Sequence, residues 1–295
     1  MSALDFPALN KIGIKVALDN ERHAEALKEL RLAAVTCRRK IVEMGYVNHI
    51  RLHYGALMSM VEIILSLYLT WMKVNPEDPS WSERDRFVLS KGHGAPALYV
   101  ALWMKGFFDE SHFKGFRRLH SILQGHPDRL KTPGLDCSSG SLGQGFAVAC
   151  GMALAAKMDQ AAFHIYSLIS DGECNEGSIW EAAQIASNLK LSHLKVLMDR
   201  NRKSSYGWME GRNDIEPLVD KWRAFNWEVL ECDGHDFISI SQALHQAEGI
   251  KNKPVIVICH TIKGKGIPYV ENYPTKPNIL SVSYTHLTLP TKRIV

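Results

Sequence analysis

The stretch His164-Ile165-Tyr166-Ser167-Leu168-Ile169 is apolar, has no helical period and stops at Ser170-Asp171-Gly172. That pattern predicts a strand buried on both faces, closed by a turn. Downstream, Ile179, Ala183, Ala186 and Leu189 fall at helical spacing within a helix from about Glu176 to Lys190. The chain then returns to strand at Leu194-Lys195-Val196-Leu197-Met198 and stops at Asp199-Arg200-Asn201. Working outward, Trp227 to Leu230 and Val255 to Ile258 repeat the theme, with a helix from Ile238 to Ala247 between them. On the other side, Arg86 to Ser90 reads as a short strand followed by a helix from Ala95 to Met104. Further upstream lie a helix from Arg22, ending near Gly45, and an apolar helix from about Leu57 to Trp71. Strands alternating with helices of this size need crossover connections, which bury a parallel sheet between helical layers. The expected fold is three-layer α/β/α with a mostly parallel sheet.

Composition agrees with one large folded unit. Of 295 residues, 46% are hydrophobic and 22% charged, which excludes disordered and collagen-like classes. Thirty-five basic against thirty-one acidic residues leave a net charge of +4, too little to argue for nucleic acid. The apolar run Val61 to Tyr68 contains Glu62 and is too short for a membrane span. Asp5 and Pro7 stand where a signal peptide would need an apolar core. Six cysteines without a Cys-x-x-Cys pair read as reduced thiols, so a cytoplasmic protein is expected. Residues 1–273 are taken as one binding domain and 274–295 as an irregular tail whose text resembles non-native sequence.

In parallel sheets, ligands bind beyond the carboxyl ends of the strands. Asp171 and Asn201 each follow a strand there, thirty residues apart, which spans one strand, one helix and one strand. A carboxylate and an amide oxygen brought together suit a hard cation such as magnesium or calcium. Gly172 has no side chain to obstruct a phosphate, and the helix near Glu176 would present its amides and positive dipole end. Asp-Gly and Asn also make ordinary turns after strands, so spacing alone leaves both readings open.

Several separated motifs narrow the reading. Arg84-Asp85-Arg86-Phe87-Val88-Leu89-Ser90-Lys91-Gly92-His93, Ser139-Gly140-Ser141-Leu142-Gly143-Gln144-Gly145, Asp171-Gly172-Glu173 through Glu176-Gly177, Ile179-Trp180-Glu181-Ala182-Ala183 and Thr261-Ile262-Lys263-Gly264-Lys265-Gly266 occur in this order. Together they resemble transketolases, and the length matches the N-terminal, diphosphate-binding half found in split, two-polypeptide versions. The resemblance covers roughly Arg31 to Ile267.

The resemblance implies a role for each matching residue. Asp171 and Asn201 would ligate a divalent metal (Mg2+, or Ca2+ or Mn2+), with the backbone carbonyl of Lys203 as a third donor. Gly172 would give its amide to the diphosphate of thiamine diphosphate, His93 would hydrogen-bond a phosphate oxygen, and Lys263 would attract the same group. Gly140 and Leu142 would meet the aminopyrimidine through their backbones. Glu176 would face a partner's activating glutamate across a subunit interface. His53 and His126 would line the substrate channel and handle hydroxyl protons of a ketose, chemistry that needs proton transfer near neutral pH. His93 lies between Gly92 and Gly94, and His126 between Gly125 and Pro127, in loops that can expose a ring. Lys91 is read as solvated or as a further attraction for the diphosphate.

The implied activity is transfer of a two-carbon ketol unit from a ketose to an aldose, both sugar phosphates. It would run in a heterotetramer with a pyrimidine-domain subunit, without nucleic acid or membrane. Rival readings are another thiamine-diphosphate enzyme, such as 1-deoxyxylulose-5-phosphate synthase, and a non-catalytic module that keeps the fold.

Overall fold

The computed structural model describes residues 6–9, 14–204 and 207–272. The tail 274–295 lies outside them. Five parallel strands form one sheet: β1 (Arg86–Leu89), β2 (Ile165–Ser170), β3 (Leu194–Arg200), β6 (Glu228–Asp233) and β7 (Val255–His260), in the spatial order β1-β2-β3-β7-β6. A two-stranded antiparallel hairpin, β4 (Lys203–Ser204) and β5 (Gly207–Trp208), projects beyond β3. Each predicted strand is present. β3, β6 and β7 run two or three residues further than their apolar runs, through the polar residues at their carboxyl ends.

Alternation along the strands builds two cores. Phe87, Leu89, Tyr166, Leu168, Leu197, Val255 and Val257 face one way. They pack against α1 (Ala24–Val47), α2 (Tyr54–Ser59), α3 (Val61–Leu65), α4 (Ala95–Lys105) and α8 (Phe237–Gly249). Val88, Ile165, Ile169, Val196, Met198, Ile256 and Ile258 face the other way, against α5 (Gln144–Met158), α6 (Gly177–Asn188) and α7 (Leu218–Ala224). With both faces covered, β2 and β3 are buried along their whole length. The three-layer α/β/α arrangement therefore follows from the strand text.

The expected helices need correcting at one place and supplementing at another. The stretch from Leu57 to Trp71 is no single helix: Met60, at φ −98° and ψ 3°, separates α2 from α3. Ser66–Trp71 then continues as a wider π turn, in which Thr70 Oγ1 donates to the Ser66 carbonyl at 2.8 Å. Gly45 lies near the end of α1, as expected, two residues before Val47. A Cβ at Gly45 would stand 2.3 Å from the Tyr54 hydroxyl, so that glycine permits close packing against α2 rather than capping a helix. Helix α5 has no counterpart among the expected elements, because Gln144–Met158 is apolar on most sides and gives no amphipathic period. Among the described residues, no helix is long and apolar enough to cross a membrane.

Candidate active site

The parallel sheet gathers every strand end of interest at one edge. From β1 comes the turn Ser90 to Gly94, from β2 the 3-10 turn Asp171–Asn175, and from β3 the loop Asn201 to Lys203. The loop Thr261 to Gly266 follows β7, and the Gly-rich loop before α5 completes the rim. In-register pairing of β2 with β3 sets Ser170 opposite Asp199. One residue further on, Asp171 Oδ2 accepts from the Arg202 amide at 2.6 Å and from Arg200 Nη1 at 3.2 Å. Asp171 Oδ1 accepts from the Gly172 amide at 2.8 Å. The two carboxyl-edge turns are thus joined. Burial and the neighbouring Asp199 charge raise the Asp171 pKa, against the opposing pull of the Arg202 amide and Arg200.

Asn201 is buried. Its Nδ2 donates to Asp199 Oδ2 at 3.3 Å, and its Oδ1 accepts from the Lys203 amide at 3.2 Å. The Lys203 carbonyl accepts from Lys263 Nζ at 3.1 Å, and that ammonium also donates to the Ser204 carbonyl at 2.7 Å. Burial pushes the Lys263 pKa down to about 8, although Asp171 and Asp199 pull it upward. Among the described residues no cluster of three His, Cys, Asp or Glu side chains stands ready for a metal. The available set is one carboxylate, one amide oxygen and one main-chain carbonyl, each an oxygen with a second lone pair. That set fits a hard divalent cation that completes its shell with phosphate and water oxygens.

The histidines come together at the same edge. The His53 and His93 rings lie 5.4 Å apart, centre to centre, at 70°. His53 is exposed at the start of α2 and His93 is half-buried in the turn after β1. Burial pushes His93 down to about 3, and the positive charges of Lys91, His53, Lys263 and His126 act in the same direction. It is therefore a neutral ring at working pH, able to donate one hydrogen bond. His126 is exposed, and a Cβ on Gly140 would sit 3.6 Å from its ring. A Cβ on Gly172 would meet nothing nearer than Ser170 Oγ at 3.9 Å, which leaves room beside its amide. Leu142 is half-buried between Gly140 and the Gly143 turn, and Glu176 is exposed at the N-terminus of α6.

Two buried acids organise this edge, and neither stands out in the sequence. Glu173 Oε1 accepts from Ser90 Oγ at 2.7 Å and from the Gly143 amide at 2.9 Å, while Oε2 accepts from the Ser170 amide at 2.9 Å. It ties the turn after β1, the loop before α5 and the end of β2 to one carboxylate. Ser170 Oγ in turn accepts from the Glu173 amide, completing a capping box whose Ser-x-x-Glu signature is the one clue the sequence carries. Asp199 pairs with Lys91, and neither side chain is exposed. Lys91 is accordingly neither solvated nor free to reach a diphosphate.

Oxygen donors, an uncrowded glycine and a neutral histidine gather at the carboxyl edge of the parallel sheet of an α/β protein. Residues 33–276 match the family described as transketolase, thiamine diphosphate binding domain, and the chain belongs to that family, a group of transferases. It is 46% identical over 219 residues to a 6-deoxy-6-sulfo-D-fructose transketolase subunit of Clostridium sp. (strain MSTE9), covering 74% of this chain and 80% of that one. Identity to an apulose-4-phosphate transketolase subunit of Phocaeicola vulgatus is 40% over 245 residues, covering 83% and 86%. Among solved structures, transketolase from Campylobacter jejuni superposes with a TM-score of 0.75 at 31% identity. That match covers 88% of this chain and 45% of the solved chain, so the protein spans less than half of that transketolase.

Two outcomes test this geometry. Glu173→Ala leaves the buried Gly143 and Ser170 amides without acceptors, and should lower unfolding free energy in urea by about 3 kcal/mol. Because His93 has a lower pKa folded than unfolded, the unfolded chain takes up more protons between about pH 6.5 and 3. Stability should therefore fall on acidification through that window, and His93→Asn should flatten the slope of the urea midpoint against pH.

Proposed function

We propose that the chain is the diphosphate-binding subunit of a split transketolase. In this reading it moves a two-carbon ketol unit from a ketose to an aldose. The carrying observation is the joining of Asp171 to the Asn201–Lys203 loop at the carboxyl edge, beside the uncrowded backbone of Gly172. Asp171, Asn201 and the Lys203 carbonyl would hold a divalent metal, with magnesium the best match to three hard oxygens. The Gly172 amide and the neutral His93 ring would hold diphosphate oxygens, with the Lys263 ammonium close by. Gly140 and Leu142 would offer backbone groups to the aminopyrimidine. When bound, thiamine diphosphate supplies the carbon nucleophile and electron sink for cleavage beside the ketose carbonyl. His53 and His126, both exposed at the rim, would hold and move protons on the substrate hydroxyls.

Relatives named for a sulfonated and a phosphorylated sugar support a substrate with an anionic group. Both are named as subunits of their transketolases, which supports a separate partner chain. Such a partner would bring a pyrimidine-binding domain, with Glu176 facing its activating carboxylate, most simply in a heterotetramer. Residues 1–273 would form the binding domain, and the cytoplasm is the compartment that suits reduced thiols.

Ketol-transfer assays with and without the candidate pyrimidine-domain chain test the reading. The isolated chain should be inactive and gain activity on mixing; full turnover by the chain alone would sink the split-subunit proposal. In the mixture, Asp171→Ala removes the anionic metal ligand and should weaken thiamine diphosphate binding at least about tenfold by calorimetry. Unchanged affinity would remove the metal assignment.

A further inference from the structure

We propose that Asp199 is a positioning residue: it decides which end of the Asn201 amide faces the cation. The inference rests on the metal reading given above and concerns a residue outside the donor set. Asp199 lies one strand residue before Arg200, is fully buried, and offers only acceptors while ionised. Its Oδ2 takes a hydrogen bond from Ser59 Oγ at 2.6 Å, another from Asn201 Nδ2 at 3.3 Å, and the ion pair with Lys91. Its Oδ1 takes the Thr261 hydroxyl. Helix α2, the turn after β1, the metal loop after β3 and the loop after β7 therefore meet at one carboxylate.

The chemistry of the amide gives this arrangement its purpose. The two ends of an asparagine amide have nearly the same size but opposite hydrogen-bonding character. A divalent cation accepts only the oxygen end. Against a neutral neighbour the Lys203 amide, which donates to Asn201 Oδ1 at 3.2 Å, would be left to hold the orientation alone, and a turned amide would present its NH2 to the cation and lose a ligand. Against an ionised carboxylate the amide cannot turn, because oxygen would then face oxygen. Lys91, fully buried beside Asp199, keeps that carboxylate charged without lending a proton to Asn201. Ser59 and Thr261 occupy the remaining acceptor positions, leaving the Asn201 amide one orientation.

The test is Mn2+ binding to the full chain mixed with the candidate pyrimidine-domain chain and thiamine diphosphate, read from loss of the free-ion EPR signal. Asp199→Asn keeps the shape but admits a donor opposite the amide. It should weaken Mn2+ affinity by about tenfold, the usual scale for losing a group that orients a metal ligand. In an Asn201→Ala background, where no amide remains to be oriented, adding Asp199→Asn should change Mn2+ affinity little. A purely architectural role would produce the same loss in both backgrounds, and that result overturns the proposal, as does an unchanged affinity in the single variant. Repeating both comparisons on Lys91→Met leaves no buried ammonium unpaired and carries the test if Asp199→Asn alone fails to fold. Asp171→Ala separates the two levels of the argument. If it leaves Mn2+ affinity intact, the metal reading itself falls; if it abolishes binding while Asp199→Asn does nothing, only the positioning role falls.

Discussion

The register of β2 against β3 is the constraint from which the site follows. Ile165 pairs with Leu194 and the ladder continues without interruption to Ser170 opposite Asp199. Only in that register does the Asp171 carboxylate land on the Arg202 amide, while the register of β1 against β2, with Leu89 opposite Leu168, brings Glu173 to Ser90. A slip of one residue would turn every side chain of the strand to the opposite face. It is prevented by burial on both sides: Tyr166 and Leu168 are committed to one core, and Ile165 and Ile169 to the other. The hydrophobic layers thus do more than hold the sheet. They set the alignment of polar groups that lie beyond its edge.

Much of this is legible in the sequence because it is local or periodic. A strand buried on both faces writes itself as an unbroken apolar run, and the thirty-residue spacing of Asp171 and Asn201 is set by one crossover. What escapes is long-range. Lys91 reads as a surface residue until its partner is known, and that partner, Asp199, is 108 positions away. Gly45 reads only as a residue near a helix end, because nothing in its own stretch announces the Tyr54 hydroxyl packed against it. Helix α5 gives no period, since its exposed face carries Val148, Gly151, Ala155 and Met158 where a polar stripe would stand. Glu173 is the exception: its capping-box signature is present, but the spacing does not announce that the same carboxylate also serves two other loops.

The charges at the active edge are arranged for order more than for stability. A buried ion pair such as Lys91–Asp199 repays little of the cost of removing both groups from water. Glu62 shows the same economy nearer α1, accepting two bonds from Arg38 at 2.7 and 2.8 Å and one from His235 at 3.0 Å. Burial would raise its pKa, yet His235 and Arg38 hold it below the usual carboxylate range. Arg38 Nε also donates to the Lys265 carbonyl at 2.9 Å, so this second charged node steadies the loop that carries Lys263. The turn after β1 and the loops after β3 and β7 are each tied to a buried carboxylate: Glu173, Asp171 and Asp199 in turn.

The turn after β1 and the loop before α5 touch through bare backbone. A Cβ at Gly92 would stand 2.8 Å from both the nitrogen and the Cα of Gly140, and 2.8 Å from the Ser139 carbonyl oxygen. No side chain lies between the two segments to act as a cushion, so neither can be reshaped without displacing the other. For anyone wishing to redirect the enzyme toward other sugars, this removes the inner wall from the set of adjustable parts.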